Sequence, residues 1–291
     1  MSLNGNTAAR LKVILEKVID PHFPIGEGEV GYEAFEKGCD LLAKLDETQQ
    51  NLILTLLENY QFINVLEYSS LCTQAIKNID FGRFSDIESI SIVPCITKKD
   101  HDAGNYKSGL GIVNNYRTKN FKVLIGKKLG SKCDLSPKCF SSPFSYSNPR
   151  NKRDLLIFVD DFVGTGKTAT KAIDDFFSNS SRKKENFCLT VLGSMQDGYN
   201  VLQKKDYPFY TVKKFNRGIT DCPIFKKKKE TIELMKSIEE NLKNCPKYSL
   251  GYEKSEALVT MQRTPNNTFP VFWDSETKGG LEWPAPFPRF L

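Results

Sequence analysis

Apolar residues in the first eighty positions recur at helical spacing. Leu11, Ile14, Leu15 and Val18 fall on one helix face. A break rich in proline and glycine follows at Pro21, Pro24, Gly26 and Gly28. Tyr32–Leu45 and Glu47–Phe62 then repeat the three-and-four spacing, with Leu52, Leu54, Leu56 and Leu57 dense in the second, and Val65–Ile79 adds a further helix. The pattern predicts a bundle or cap of three or four helices over residues 1–84.

Beyond that point the pattern changes. Short runs rich in β-branched and aromatic residues appear at Ile90–Ile96, Phe121–Ile125, Leu155–Val159, Cys188–Leu192, Phe209–Val212 and Ala257–Met261. Several are apolar almost throughout, as in strands covered on both faces of a parallel sheet. Helical patterns at Gly109–Tyr116, Gly166–Phe177 and Lys229–Leu242 lie between them. The alternation predicts an α/β domain over residues 85–291, built on an open, mostly parallel sheet, with ligands at the carboxyl ends of the strands. The stretch 127–152, rich in Ser, Pro and basic residues, reads as a long irregular loop. The lysine run 226–229 reads as a solvated face.

Composition narrows the class. The chain is 40% hydrophobic and 26% charged, which suits a globular core and excludes wholesale disorder. No run approaches ~18 apolar residues, so no membrane span is expected. The opening segment, broken by Lys12, Glu16, Lys17 and Asp20, lacks the continuous apolar core of a secretory signal. Forty-one basic residues against 35 acidic leave +6, which permits an anionic ligand without demanding nucleic acid. The eight cysteines form no C-x-x-C pair and only His22 and His101 offer imidazole, so a compact zinc site is not expected. Cys39, Cys95 and Cys188 sit in apolar runs as small hydrophobes, and unpaired thiols without a signal segment point to the cytoplasm.

The segment Arg153–Phe177 carries the chemistry. The apolar strand Leu155–Val159 ends in Asp160 and Asp161, and Phe162-Val163-Gly164-Thr165-Gly166-Lys167-Thr168 then opens a helix. The glycines allow a tight turn. The turn's N–H groups, the Thr165 and Thr168 hydroxyls and the Lys167 charge together form a phosphate cradle. Gly166-Lys167-Thr168 also suggests a nucleotide P-loop, but that motif needs a glycine five residues before Gly166, where Asp161 stands. A helix cap alone needs one acid rather than two followed by this turn.

Apolar strand, paired acids, three residues and Thr-Gly-x-Thr resemble the ribose-phosphate signature of the type I phosphoribosyltransferases. The resemblance implies that Asp160 and Asp161 hold the ribose hydroxyls and act as the catalytic pair. It implies that Gly164, Thr165, Gly166, Lys167 and Thr168 hold the 5-phosphate. Lys167 departs from the small residue usual there. By the family's element order, Lys107, Ser108 and Gly109 are the candidate pyrophosphate loop and 127–152 the loop closing over the ligand. A late Thr264-Pro265-Asn266-Asn267-Thr268-Phe269-Pro270-Val271-Phe272-Trp273 segment and a terminal Phe-Pro-Arg narrow the likeness to a divergent phosphoribosyltransferase-like family of bacterial conflict systems. There Asn266, Asn267 and Trp273 are candidates for an acceptor pocket, against the plainer reading of a turn held by Asx bonds.

The likeness implies an effector in anti-phage or related conflict that binds phosphoribosyl pyrophosphate or a nucleotide. The expected activity is that of a glycosyltransferase, or of an enzyme cleaving a nucleotide's N-glycosidic bond. Mg2+ is expected to be held mainly by substrate oxygens, with no direct side-chain ligand. A partner protein or ribonucleoprotein of a defence system and a homo-oligomer are compatible with this role, and a membrane partner is not expected. A non-catalytic sensor of the same ligand, acting through a partner, is the alternative, and a P-loop phosphotransferase is the weaker one.

Overall fold

The computed structural model describes residues 3–19, 30–84, 87–105, 108–117, 121, 123–124, 137–146, 153–182 and 184–289. In chain order its elements begin with α1 (Gly5–Val18), α2 (Val30–Ala43), α3 (Glu47–Glu58), β1 (Gln61–Phe62), α4 (Tyr68–Asn78) and β2 (Ser89–Pro94). They continue with α5 (Lys98–Asp102), α6 (Ser108–Tyr116), β3 (Lys138–Cys139), β4 (Asp154–Val163), α7 (Lys167–Ser178) and β5 (Phe187–Met195). The last are α8 (Gln196–Lys204), β6 (Phe209–Phe215), α9 (Lys228–Glu239), α10 (Cys245–Tyr248) and β7 (Val259–Thr260). The contacts divide the chain into two compact units, residues 66–214 and residues 1–65 joined with 215–291. The boundary drawn from sequence at 84/85 is a different cut, because the two ends of the chain share one unit.

The 66–214 unit is built on a parallel sheet of five strands among the described residues, in the order β3-β2-β4-β5-β6. Strands β2 and β4 pair in register from Ser89↔Asp154 to Pro94↔Val159, and β4 pairs with β5 from Leu156↔Phe187 to Val163↔Ser194. The central strands are buried along almost their whole length, which is why their sequences are nearly continuous apolar runs. One face carries α7 and α8, which cover Leu156, Phe158, Leu189 and Val191 with Ala169, Ala172, Ile173, Phe176 and Leu202. Helices α4 and α6 also pack on the sheet, α4 against β5 and α6 against β2 and β4. Helix α4 thus belongs with the sheet, not with the helices that precede it. Chain order reverses between β2 and β4, so the crevice at their carboxyl ends is the switch point where open α/β sheets bind ligands.

A buried polar knot pins the opposite end of β4. Asp154 accepts hydrogen bonds from Ser89 (2.6 Å), Ser91 (3.1 Å) and the Tyr146 hydroxyl (2.6 Å). Arg182 forms an ion pair with its carboxylate at 3.4 Å, and also donates to the Tyr146 hydroxyl and the Asn186 carbonyl, both at 2.9 Å. Burial, reinforced by the Asp154 carboxylate, raises the Tyr146 hydroxyl well above its ordinary pKa.

One expected strand is not formed. Phe121, Val123 and Leu124, the described residues of the 121–125 run, are helical. Phe121 is buried edge-on against Tyr116 at 4.6 Å, whereas Val123 is 59% exposed, so the two do not share the buried face that strand alternation requires. The strand beside β2 is instead Lys138–Cys139, inside the stretch read as irregular. Two of its residues suffice to pair, too few to leave a periodic signal.

In the other unit α1 packs against α2 and α3. Their apolar faces share a core with Met235, Ile238 and Leu242 of α9 and its exit and with Phe269, Phe272 and Phe287. Tyr60 stacks on Phe287 at 4.6 Å and its hydroxyl bonds Thr260 at 2.8 Å. Thr260 meets Thr264, which donates to the Phe287 carbonyl. The tail rich in proline and aromatic residues is thus anchored in this core. Its two indoles donate to carbonyls, Trp273 to Thr268 and Trp283 to Val271.

Candidate functional site

Strand β4 runs past the acids to Val163, so Asp160 and Asp161 lie within the strand rather than in the loop after it. Consecutive strand residues send their side chains to opposite faces. The two carboxylates therefore diverge. Asp160 is half-buried and accepts the Asp161 N–H on Oδ1 at 3.0 Å, whereas Asp161 is only 6% exposed.

The loop that follows is held by glycines. Gly166 has φ +78°, in the left-handed region that favours glycine, and serves as the N-cap of α7 without a capping side chain. Gly166 thus offers no side chain of its own to the first amides of α7, the end of a helix that favours anions. Thr165 is half-buried, and Lys167 and Thr168 are exposed on the first turn. Behind the loop stands Gly198 of α8. A β-carbon at Gly198 would lie 2.1 Å from the Gly164 carbonyl oxygen, and one at Gly166 would lie 3.0 Å from the Gly198 carbonyl. Loop and helix therefore touch backbone to backbone.

Helix α6 reaches the same crevice from the other side. A β-carbon at Gly109, in its first turn, would stand 3.0 Å from the Val159 carbonyl, 3.2 Å from Pro94 Cβ and 3.5 Å from Asp160 Oδ1. The structure thus gathers the end of β2, the end of β4, Asp160 and the start of α6 at the switch point. Lys107 lies outside the described residues, and so do 127–136 and 147–152 of the expected closing loop. Ser108 begins α6. The described part of that loop is anchored, with Ser142 Oγ 3.0 Å from His101 Nδ1 and accepting the Phe144 N–H at 3.1 Å.

Asn266, Asn267 and Trp273 belong to the other unit. Asn267 is buried, and its amide donates to Ser255 Oγ at 3.1 Å while its carbonyl accepts the Ala257 N–H at 3.0 Å. These bonds and the indole's bond to Thr268 hold a turn. Asn266 is half-buried and bonds the Tyr248 hydroxyl.

With this geometry in view, the family model PRTase-CE matches residues 42–289. The chain belongs to this phosphoribosyltransferase-like family. The PRTase-CE match takes in both the β4 loop and the late Asn266–Trp273 segment. Among solved structures, the chain is similar to the hypoxanthine-guanine phosphoribosyltransferase of Schistosoma mansoni in complex with IMP, at 16% identity and a TM-score of 0.34. That similarity covers 54% of this chain and 66% of the other, just under two thirds of its length. None of the curated proteins matches the chain.

Sequence reasoning missed Gly198. Its Asp197-Gly198-Tyr199 setting is an ordinary tripeptide, and no local pattern marks which glycine will face a loop more than thirty residues away. Among the described residues no group of three or more His, Cys, Asp or Glu is arranged to hold a metal ion.

Proposed function

We propose that this PRTase-CE protein binds a ribose 5-phosphate group, as phosphoribosyl pyrophosphate or a nucleotide, in the crevice between β2 and β4. The observation that carries the reading is the placement of Asp160 Oδ1 beside Gly109, with the uncapped start of α7 one tight turn further along the chain. Vicinal hydroxyls are donors and suit a carboxylate acceptor. Asp160 is the more accessible of the two acids and takes the ribose hydroxyls first, with Asp161 supporting from within the strand. The phosphate accepts from the amides of Thr165 to Thr168, the threonine hydroxyls and the Lys167 ammonium. Gly109, with Lys107 and Ser108, presents the start of α6 to the pyrophosphate.

In turnover, the bond from the anomeric carbon to pyrophosphate or a base breaks through an oxocarbenium-like state. The carboxylates stabilise that cation, and positioning supplies much of the rest. Mg2+ fits this scheme as a hard cation held mostly by substrate oxygens and water. The likeness to conflict-system proteins supports a role as an effector in anti-phage defence.

Isothermal titration with phosphoribosyl pyrophosphate and Mg2+, together with mass spectrometry of products, tests the reading. Wild type should bind, Asp160→Asn should lose at least tenfold in affinity, and Asp161→Asn should lose less. Binding without any product in the presence of nucleotides would assign a sensor rather than a transferase. Equal affinity in wild type and the double Asn variant would sink the site itself.

A further inference from the structure

The unit formed by residues 1–65 and 215–291 holds a second cluster of aromatic and basic side chains that the ribose-phosphate reading does not use. Tyr248 meets Trp273 edge-on at 5.6 Å and Tyr252 at 6.1 Å. The Lys247 ammonium lies 5.0 Å from the Tyr248 ring centre, and the Arg289 guanidinium lies 5.9 Å from that of Trp273. The Tyr248 hydroxyl accepts from the Lys247 ammonium and the Asn266 amide.

A packed aromatic corner accounts for the buried Trp273 ring. It does not account for a cation beside each of the Tyr248 and Trp273 rings, with an amide donor at the Tyr248 hydroxyl. Burial pushes the Tyr248 phenol up, but its hydrogen bonds from Lys247 and Asn266 and the charges of Lys247 and Arg289 outweigh burial and hold it below its ordinary pKa. The local potential at the Tyr248 hydroxyl is therefore positive. Lys247 is exposed, while Tyr252, Asn266 and Arg289 are half-buried, so the donors are within reach of solvent.

We propose that Lys247, Tyr248, Tyr252, Asn266 and Arg289 form a second anion-binding site, whose ligand is a nucleotide unit with its phosphate on the Lys247–Arg289 side and its base against the tyrosine rings. Positive charge beside solvent-reaching aromatic rings is the chemistry that recognises a phosphate joined to a flat ring, because stacking tolerates any base and the cations neutralise the phosphate. A free mononucleotide and a single-stranded nucleic acid share that chemistry.

The test uses the full chain carrying Asp160→Asn and Asp161→Asn, which silences the first site, with AMP and a 12-nucleotide single-stranded RNA as separate probes. The proposal expects at least one probe to bind, and binding to weaken about tenfold in Lys247→Ala and severalfold in Tyr248→Phe. Tyr248→Phe keeps the ring and removes only the hydroxyl, so an unchanged melting temperature certifies its fold. Binding of both probes with this dependence assigns a mononucleotide site, and binding of the RNA alone assigns a nucleic-acid site. Absence of binding by both probes, or binding indifferent to both substitutions, overturns the proposal. Loss of the first site alone leaves these readings intact, so the two hypotheses fail separately.

Discussion

Gly198 abuts Gly164 so closely that a β-carbon at position 198 would lie 2.1 Å from the Gly164 carbonyl oxygen. The same imagined atom would stand 3.0 Å from Val163 Cγ1. Helix α8 is therefore the backstop of the turn that follows β4, and the turn's shape depends on there being no side chain behind it. Gly198→Ala must displace either the helix or the turn. The expected cost is about 1–3 kcal/mol of stability, as for other overpacked sites. Affinity for a ribose 5-phosphate ligand should fall by about tenfold or more while the circular dichroism spectrum is kept. Calorimetric titration beside a urea melt checks both, and full affinity in a folded Gly198→Ala protein would show the backstop to be dispensable.

A substitution on the other side of the crevice separates pyrophosphate from ribose 5-phosphate. Gly109→Ala brings a methyl group to 3.0 Å from the Val159 carbonyl and 3.5 Å from Asp160 Oδ1. The α6 start must then draw back slightly from the Val159 carbonyl and from Pro94, whose Cβ would lie 3.2 Å away, and so from the crevice beside Asp160. The expected result is a larger loss of affinity for phosphoribosyl pyrophosphate than for ribose 5-phosphate. Equal losses for the two ligands would detach α6 from the pyrophosphate role.

The knot at the far end of β4 predicts a stability effect without a direct ligand effect. Arg182 and Asp154 are each at most 4% exposed at the side chain. Arg182→Met strands a buried carboxylate, for which losses of about 3–5 kcal/mol are typical. Arg182→Lys should restore only part of this, because an ammonium cannot reach the Asp154 carboxylate, the Tyr146 hydroxyl and the Asn186 carbonyl with one planar fork. Urea unfolding of the three proteins measures the order.

Glu239 predicts a pH dependence of stability. The residue is fully buried in the unit that holds both chain ends, and its Oε2 accepts the Leu250 N–H at 2.8 Å and the Ser249 hydroxyl at 3.1 Å. Oε1 has no hydrogen-bond partner. Burial pushes the carboxyl up to about 8, despite the Leu250 amide and Ser249 hydroxyl that favour the charged form. The folded chain therefore holds a proton that the unfolded chain, with an ordinary value near 4.5, has released. This contribution to stability is largest at the acid end and is lost as pH rises from about 4.5 towards 8, at roughly 1.4 kcal/mol per pH unit inside the window. Glu239→Gln removes the titration, so melting curves between pH 5.5 and 7.5 should fall more steeply for wild type than for the variant. Parallel curves would mean that Glu239 ionises freely.

The β4–turn–α7 segment was legible because its information is local. An apolar run, two acids and a Thr-Gly-Lys-Thr turn lie within one short stretch, and the strand, turn and helix they predict all form there. The same locality misled at Phe121–Ile125, since a short apolar run fits strand and helix alike until burial separates Phe121 from Val123. The divergence of Asp160 and Asp161 was not legible either, because the length of β4 is set by pairing with β5 up to Val163↔Ser194 rather than by the acids themselves. Gly198 and the Lys247–Arg289 grouping gain meaning only from residues distant in sequence.

The stacking of Tyr60 on Phe287 bears on how the chain matures. A nascent polypeptide leaves the ribosome from its amino end at about 5–20 residues per second. Helices α1–α3 therefore emerge roughly ten to forty-five seconds before the ring that completes their core. The sheet-bearing unit, whose residues are contiguous from 66 to 214, has all its own material earlier. That unit can thus close on itself while the one holding Tyr60 still waits for the residues around Phe287.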